Sequence, residues 1–78
     1  MNIDMSDIML HIDEDLSNQE QSALEHKMRE HKGVVGLGYH DTQPHLMIVE
    51  YDKDATTPKE LLRSVSSYGL HAELVGFL

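Results

Sequence analysis

The stretch DIMLHIDEDLSNQE, residues 7–20, changes its hydrophobic period half-way along. Up to Ile12 the apolar side chains alternate, with Ile8, Leu10 and Ile12 on one face and Met9 and His11 on the other, the period of a half-buried strand. Beyond Ser17 they fall at Leu24 and Met28, with His31 next and Ala23 beside them, a spacing of four and three that lines one face of a helix. Gly33 follows, able to take the left-handed conformation that ends a helix. VVGLGYH (34–40) and HLMIVEY (45–51) read as two further strands, and DTQP between them suits a turn, so the pair predicts a hairpin. TPKE (57–60) places Thr57 as the N-cap of a second helix, Pro58 in its first turn and Glu60 three residues after the cap, the pattern of a capping box. Leu61, Leu62, Val65 and Tyr68 form the buried stripe of that helix and Gly69 stops it. HAELVGFL closes the chain as a last strand.

The order is β-α-β-β-α-β, which predicts an α+β, ferredoxin-like open-faced sandwich: a four-stranded antiparallel sheet with two helices on one face. Right-handed crossovers put the first strand in the middle, between the third and fourth, and leave the second at an edge. Seventy-eight residues suffice for one domain spanning 1–78, with 1–6 expected as a loose N-terminal tail.

Composition narrows the function classes. The chain has no cysteine, so disulfides, thiolate metal sites and thiol nucleophiles are excluded, and histidine, carboxylate and methionine are the side-chain ligands left. Six basic against fourteen acidic residues give a formal charge of −8, which repels phosphate backbones and anionic bilayers, so neither nucleic acid nor membrane is expected as a partner. No apolar run is long enough for a membrane span and no secretory signal is written in the sequence; the expectation is a soluble, cytoplasmic protein. No nucleophile, base and orienting group can be assembled from the residues present, so the chain does not read as an enzyme.

Beyond these readings the sequence resembles the heavy-metal-associated domain, the fold of small copper chaperones and of the soluble modules of metal-pumping ATPases. The resemblance runs through ALEHKMREHKGVVGLGYH and MIVEYDKDATTPKELLRSVSSYGLHAELV. It rests on Gly33-Val34 after the first helix, on Val49-x-Tyr51-Asp52 at the end of the third strand and on Tyr68-Gly69 after the second helix. It implies a metal loop between the first strand and first helix, where the family carries Met-x-Cys-x-x-Cys and holds Cu(I) with two thiolates. Counted back from Gly33, those three positions fall on Asp15, Ser17 and Glu20, and Leu70 occupies the position after the second helix that lies near the metal. Ser17 and Glu20 instead form the pattern Ser-x-x-Glu, a capping box in which each closes on the other's amide. An oxygen cage of Asp13, Glu14, Asp15 and Glu20 fits no EF-hand spacing and lacks the turn glycine. Other activities on this topology lack their residues too. Arg29 and Arg63 fall inside helices rather than in an acylphosphatase loop, the central strands lack the aromatics of an RNA-recognition domain, and DEDLSNQEQ lacks the glycine-bearing ligand loop of an ACT-type regulatory domain.

Two candidate sites remain. His11 and His71 point away from the helices by strand parity, and Glu73 and Glu50 share their face; two imidazoles with carboxylates suit Zn²⁺, Ni²⁺, Co²⁺ or Cu²⁺ rather than Cu(I). The same open face carries Met9, Leu46, Ile48, Val75 and Phe77, an apolar patch of the kind that marks an interface with a homodimer partner or another protein. Of the other histidines, His26 is expected to pair with Glu30 four residues on, His31 to be partly buried, and His40 and His45 to sit in a solvated turn.

Overall fold

In the computed structural model, residues 5–40 and 42–77 are described, without the side chains of His40 and Phe77. The elements follow the expected order: β1 (Met5–Ile12), α1 (Asn18–Arg29), β2 (Val34–His40), β3 (Gln43–Asp52), α2 (Pro58–Ser67) and β4 (Ala72–Phe77). The strands form one sheet in the order β2-β3-β1-β4, with every neighbouring pair antiparallel. β1 is central, as the right-handed crossovers require. It begins at Met5, so Met5 and Ser6, assigned by sequence to a tail, belong to the sheet.

Side-chain parity along β1 decides where the core lies. Ile8, Leu10 and Ile12 are fully buried; Ile8 and Leu10 register with Val49 and Met47 of β3, whose own alternation also buries Tyr51, and Ile12 registers with Ala72 of β4. Leu24 and Met28 of α1 and Leu61 and Val65 of α2 close this layer from one side. Each of these side chains contributes about 1.5–3 kcal/mol on leaving water, so the face is chosen by several such terms acting together. Of the expected α2 stripe, Leu61 and Val65 are buried and Leu62 is half-buried, but Tyr68 is 37% exposed. Its ring instead lies under the Lys27 ammonium, 5.0 Å from the centroid. Edge strand β2 is pinned to α1 by Tyr39, whose hydroxyl donates to the Gln21 carbonyl at 3.3 Å. Burial first and the Glu25 carboxylate second push that phenol up to about 12.

Three local details differ from expectation. α1 ends at Arg29 with Glu30 as its C-cap, ahead of Gly33, because the Glu30 amide already closes on the Lys27 carbonyl and the His31 amide on that of Met28. Gly33, at φ +95°, makes the turn into β2 instead. The capping box at α2 is half formed: Thr57 accepts from the Glu60 amide, but the Glu60 carboxylate accepts from the Thr56 hydroxyl at 3.1 Å. That hydroxyl has a single proton and gives it to Glu60, so His31 Nε2 is the donor in the 3.0 Å His31–Thr56 bond, and His31 is half-buried as expected. Finally, the β2–β3 connection is shorter than DTQP, since Gln43 and Pro44 already belong to β3.

Gly33 offers a direct test of the packing of this turn. A Cβ at this position would lie 2.9 Å from both Ala55 Cβ and Thr56 Cγ2, besides requiring a side chain at positive φ. Gly33→Ala is expected to destabilise the protein by about 1–3 kcal/mol, measured by urea denaturation, and Gly69→Ala by less, since nothing lies within 4 Å of its Cβ position.

Candidate functional site

Ser17 is the N-cap of α1, and the capping box is complete: its hydroxyl accepts from the Glu20 amide at 3.1 Å and its own amide donates to Glu20 Oε1 at 3.0 Å. Each of the two side chains is therefore spent on the other residue's backbone amide. The Ser17 amide, followed by the Ser17 hydroxyl contact, holds the Glu20 carboxyl below its usual range. Beside it, Leu16, Leu24 and Leu70 with Tyr68 line a cleft of about 190 Å³ between the helix start and the α2–β4 turn. Glu20 and Lys27 also line this cleft, and Leu70 itself offers no ligand to a metal.

The acidic run Asp13-Glu14-Asp15 in front of this cap is held by three histidines from three different parts of the chain. His11, at the end of β1, meets Asp13 Oδ1 through Nδ1 at 3.1 Å. His71, in the turn before β4, meets Glu14 Oε2 through Nδ1 at 2.6 Å, while its amide donates to Glu14 Oε1 at 2.8 Å and its carbonyl accepts from the Asp13 amide at 2.9 Å. His45, at the start of β3, donates through Nδ1 to the Ile12 carbonyl at 2.6 Å and faces Asp15 Oδ1 through Nε2 at 2.9 Å. A carbonyl only accepts, so Nδ1 of His45 is the donor to Ile12. The His11 and His45 rings stack with centroids 5.5 Å apart and planes 18° from parallel.

His45 was the residue that sequence reading passed over as part of a solvated turn. Its position one residue from strand β3's Leu46, opposite the end of β1, was the available signal, but it needed the register to be of use. His26 and Glu30 do pair, at 3.6 Å on an exposed helix surface.

The expected group of His11, His71, Glu73 and Glu50 does not converge. Among the described residues, no three histidine, aspartate or glutamate side chains gather closely enough to hold a metal ion. His11 and Glu73 are opposite one another on β1 and β4. Glu50, however, lies opposite Asp7, four residues along β1 from His11 and hence about 13 Å away, and its carboxylate rests over Gly36 of β2. His71 has turned off the sheet to bind Glu14.

The apolar face is also rearranged by a register shift. β1 pairs Leu10 with Leu74 but Met9 with Gly76, so Val75 is an extra residue on β4 and is 55% exposed. The shift sets Phe77 opposite Ile8, out of the alternation that would group it with Glu73; its side chain lies outside the described residues. Met9 with Leu46 and Ile48 of β3 remains on the face away from the helices, half-buried, beside the side-chain-free Gly36 and Gly38 of β2.

No protein-family model and no curated protein sequence matches the chain. Among solved structures, a copper binding domain from HMA7, a P-type ATPase, superimposes with a TM-score of 0.83 at 14% identity, covering 92% of this chain and 96% of that one. Oxidized MerP from Ralstonia metallidurans CH34 superimposes with a TM-score of 0.81 at 11% identity, covering 92% and 99%. The fold is the one the resemblance implied. At such identities the likeness is one of fold, and this chain lacks every cysteine with which a thiolate site could be built. No helix among the described residues is long and apolar enough to cross a membrane.

The Glu14–His71 pair sets a pH signature. Glu14's side-chain bond, then its bond to the His71 amide, hold its carboxyl below the ordinary 4.5, and the same side-chain bond and the Glu14 charge raise His71 above 6.5. The raised His71 contributes stability that is present below 6.5 and lost as pH rises through its folded value. The depressed Glu14 contributes stability present above 4.5 and lost as pH falls through its folded value. Histidine-resolved NMR titration is expected to place His71 above 6.5 in the parent protein and lower in Glu14→Gln; identical titrations in the two would show that the pair does not form.

Proposed function

We propose that this chain is a binding module on the heavy-metal-associated fold, acting in metal handling through protein contact rather than through a Cu(I) thiolate site, and that the open face of its sheet is the contact surface. The observation that carries the reading is the completed Ser17–Glu20 capping box, which occupies the two ligand positions of the loop with hydrogen bonds of 3.1 and 3.0 Å. A soft ion such as Cu(I) selects thiolates, and an exposed carboxylate and a hydroxyl do not replace them. The sheet face supports the second half: Met9, Leu46, Ile48 and Val75 lie on the side no helix covers.

A second reading rests on a different observation, the meeting of His11, His45 and His71 around Asp13-Glu14-Asp15. In that reading the module buffers a divalent transition ion, with imidazole and carboxylate as ligands. It would require these pairs, already bonded to each other, to open and regroup.

Two measurements test the proposal. Competition against a chromophoric Cu(I) chelator is expected to show no transfer of Cu(I) to the protein, and perturbed amides at residues 15–20 on Cu(I) addition would overturn the loss of the site. Photo-crosslinking in the native host from a benzoylphenylalanine at Ile48 is expected to yield a discrete adduct that the same group at Glu25 on α1 does not; no adduct at Ile48 would remove the sheet face as the contact surface. Zn²⁺ addition that shifts His11, His45 and His71 together at micromolar concentration would establish the second reading.

A further inference from the structure

The charge pattern of the sheet says what kind of partner its open face can accept. All six basic residues lie outside the strands: Lys27 and Arg29 on α1, Lys32 in the turn after it, Lys53 between β3 and α2, and Lys59 and Arg63 on α2. The charged side chains of the open face, His11 apart, are acidic. Asp7 and Glu50 sit directly opposite one another on β1 and β3, and Glu73 stands opposite His11 on β4. Arg29 reaches the β2 side of this face, where it lines a cleft of about 300 Å³ with Gly36 and Gly38 of β2 and Ile48 and Glu50 of β3. Like charges directly opposite on neighbouring strands disfavour folding, and no lysine or arginine has been placed within the sheet to offset them.

We infer that the open sheet face docks a basic amphipathic segment of another protein, with apolar side chains seated over Met9, Leu46, Ile48 and Val75 and flanking lysines or arginines meeting Asp7, Glu50 and Glu73. This inference rests on the reading of the sheet face as the contact surface and adds the chemistry of the occupant. A second copy of the chain does not supply that chemistry. In a two-fold dimer the same patch meets itself, and this patch can then set only carboxylates against carboxylates or His11, on a chain whose formal charge is already −8. A basic segment instead gains complementary charge around an apolar centre, which sets both orientation and the rate of encounter.

The test uses two synthetic 18-residue amphipathic helices with the same leucine face, one with lysine and one with glutamate on its polar side, titrated into the ¹⁵N-labelled protein. The lysine peptide is expected to shift the amides around Met9, Ile48 and Glu73, and the glutamate peptide to leave the spectrum unchanged. The triple variant Asp7→Asn, Glu50→Gln, Glu73→Gln should bind the lysine peptide at least tenfold more weakly. Glu25→Gln, Glu30→Gln, Asp54→Asn, which removes the same charge away from the face, should change affinity less than threefold. Equal weakening by the two triple variants would overturn the inference, because general attraction to an acidic protein would then explain the binding. Equal binding of both peptides at the sheet would overturn the basic occupant while leaving the contact surface standing. A dimer by light scattering that Ile48→Glu returns to monomer would assign the face to a second copy and likewise overturn the inference alone. Lysine-peptide shifts confined to the helices, with a monomeric protein, would remove both readings.

Discussion

The alternation of side chains along β1 constrains everything around it. Ile8, Leu10 and Ile12 can reach the helices only if Asp7, Met9 and His11 face the other way. Because β1 is central, that choice passes by register to β3, where Met47, Val49 and Tyr51 take the buried face and Leu46, Ile48 and Glu50 the open one. A slip of one residue would exchange the two sets, placing Asp7 and Glu50 in the core, where unpaired carboxylates are strongly disfavoured. The core and the open face are therefore two consequences of one parity.

The end of β1 gathers the charged side chains of the first loop. The loop after β1 and the turn after α2 are joined through Glu14 and His71, with the capping box beside them. Hydrogen bonds and ion pairs from His11, His45 and His71 do the work of fixing a loop that carries three adjacent negative charges. Such exposed pairs are individually weak, and salt screens them. The His71–Glu14 pair, whose histidine is raised and whose carboxyl is lowered, ties part of this corner to pH.

Much of this was legible in the sequence because it is local. The capping box at Ser17, the strand–helix–strand order and the central place of β1 follow from short-range periods, cap residues and handedness rules. The α2 box at Thr57 was only half legible, since Glu60 had a second suitor in Thr56, a neighbour within the same turn that competes for the same carboxylate. The metal group of His11, His71, Glu73 and Glu50 failed for a different reason: shared parity put Glu50 on the right face, but only the register could show that it stood at the far end of it.

The sequence by itself determined which chemistry was available: no thiolate for a soft ion, no basic residue in any strand, and an apolar alternation that one side of a sheet must bury. These are properties of residue identity and of spacings below about eight residues. Only the tertiary structure decided that His71 meets Glu14 across 57 residues, that His45 reaches the Ile12 carbonyl across 33, and that an extra residue at Val75 breaks the alternation of β4. Those outcomes depend on inter-strand register and loop closure, which are fixed by the packing of the whole core and not by any segment of the chain alone.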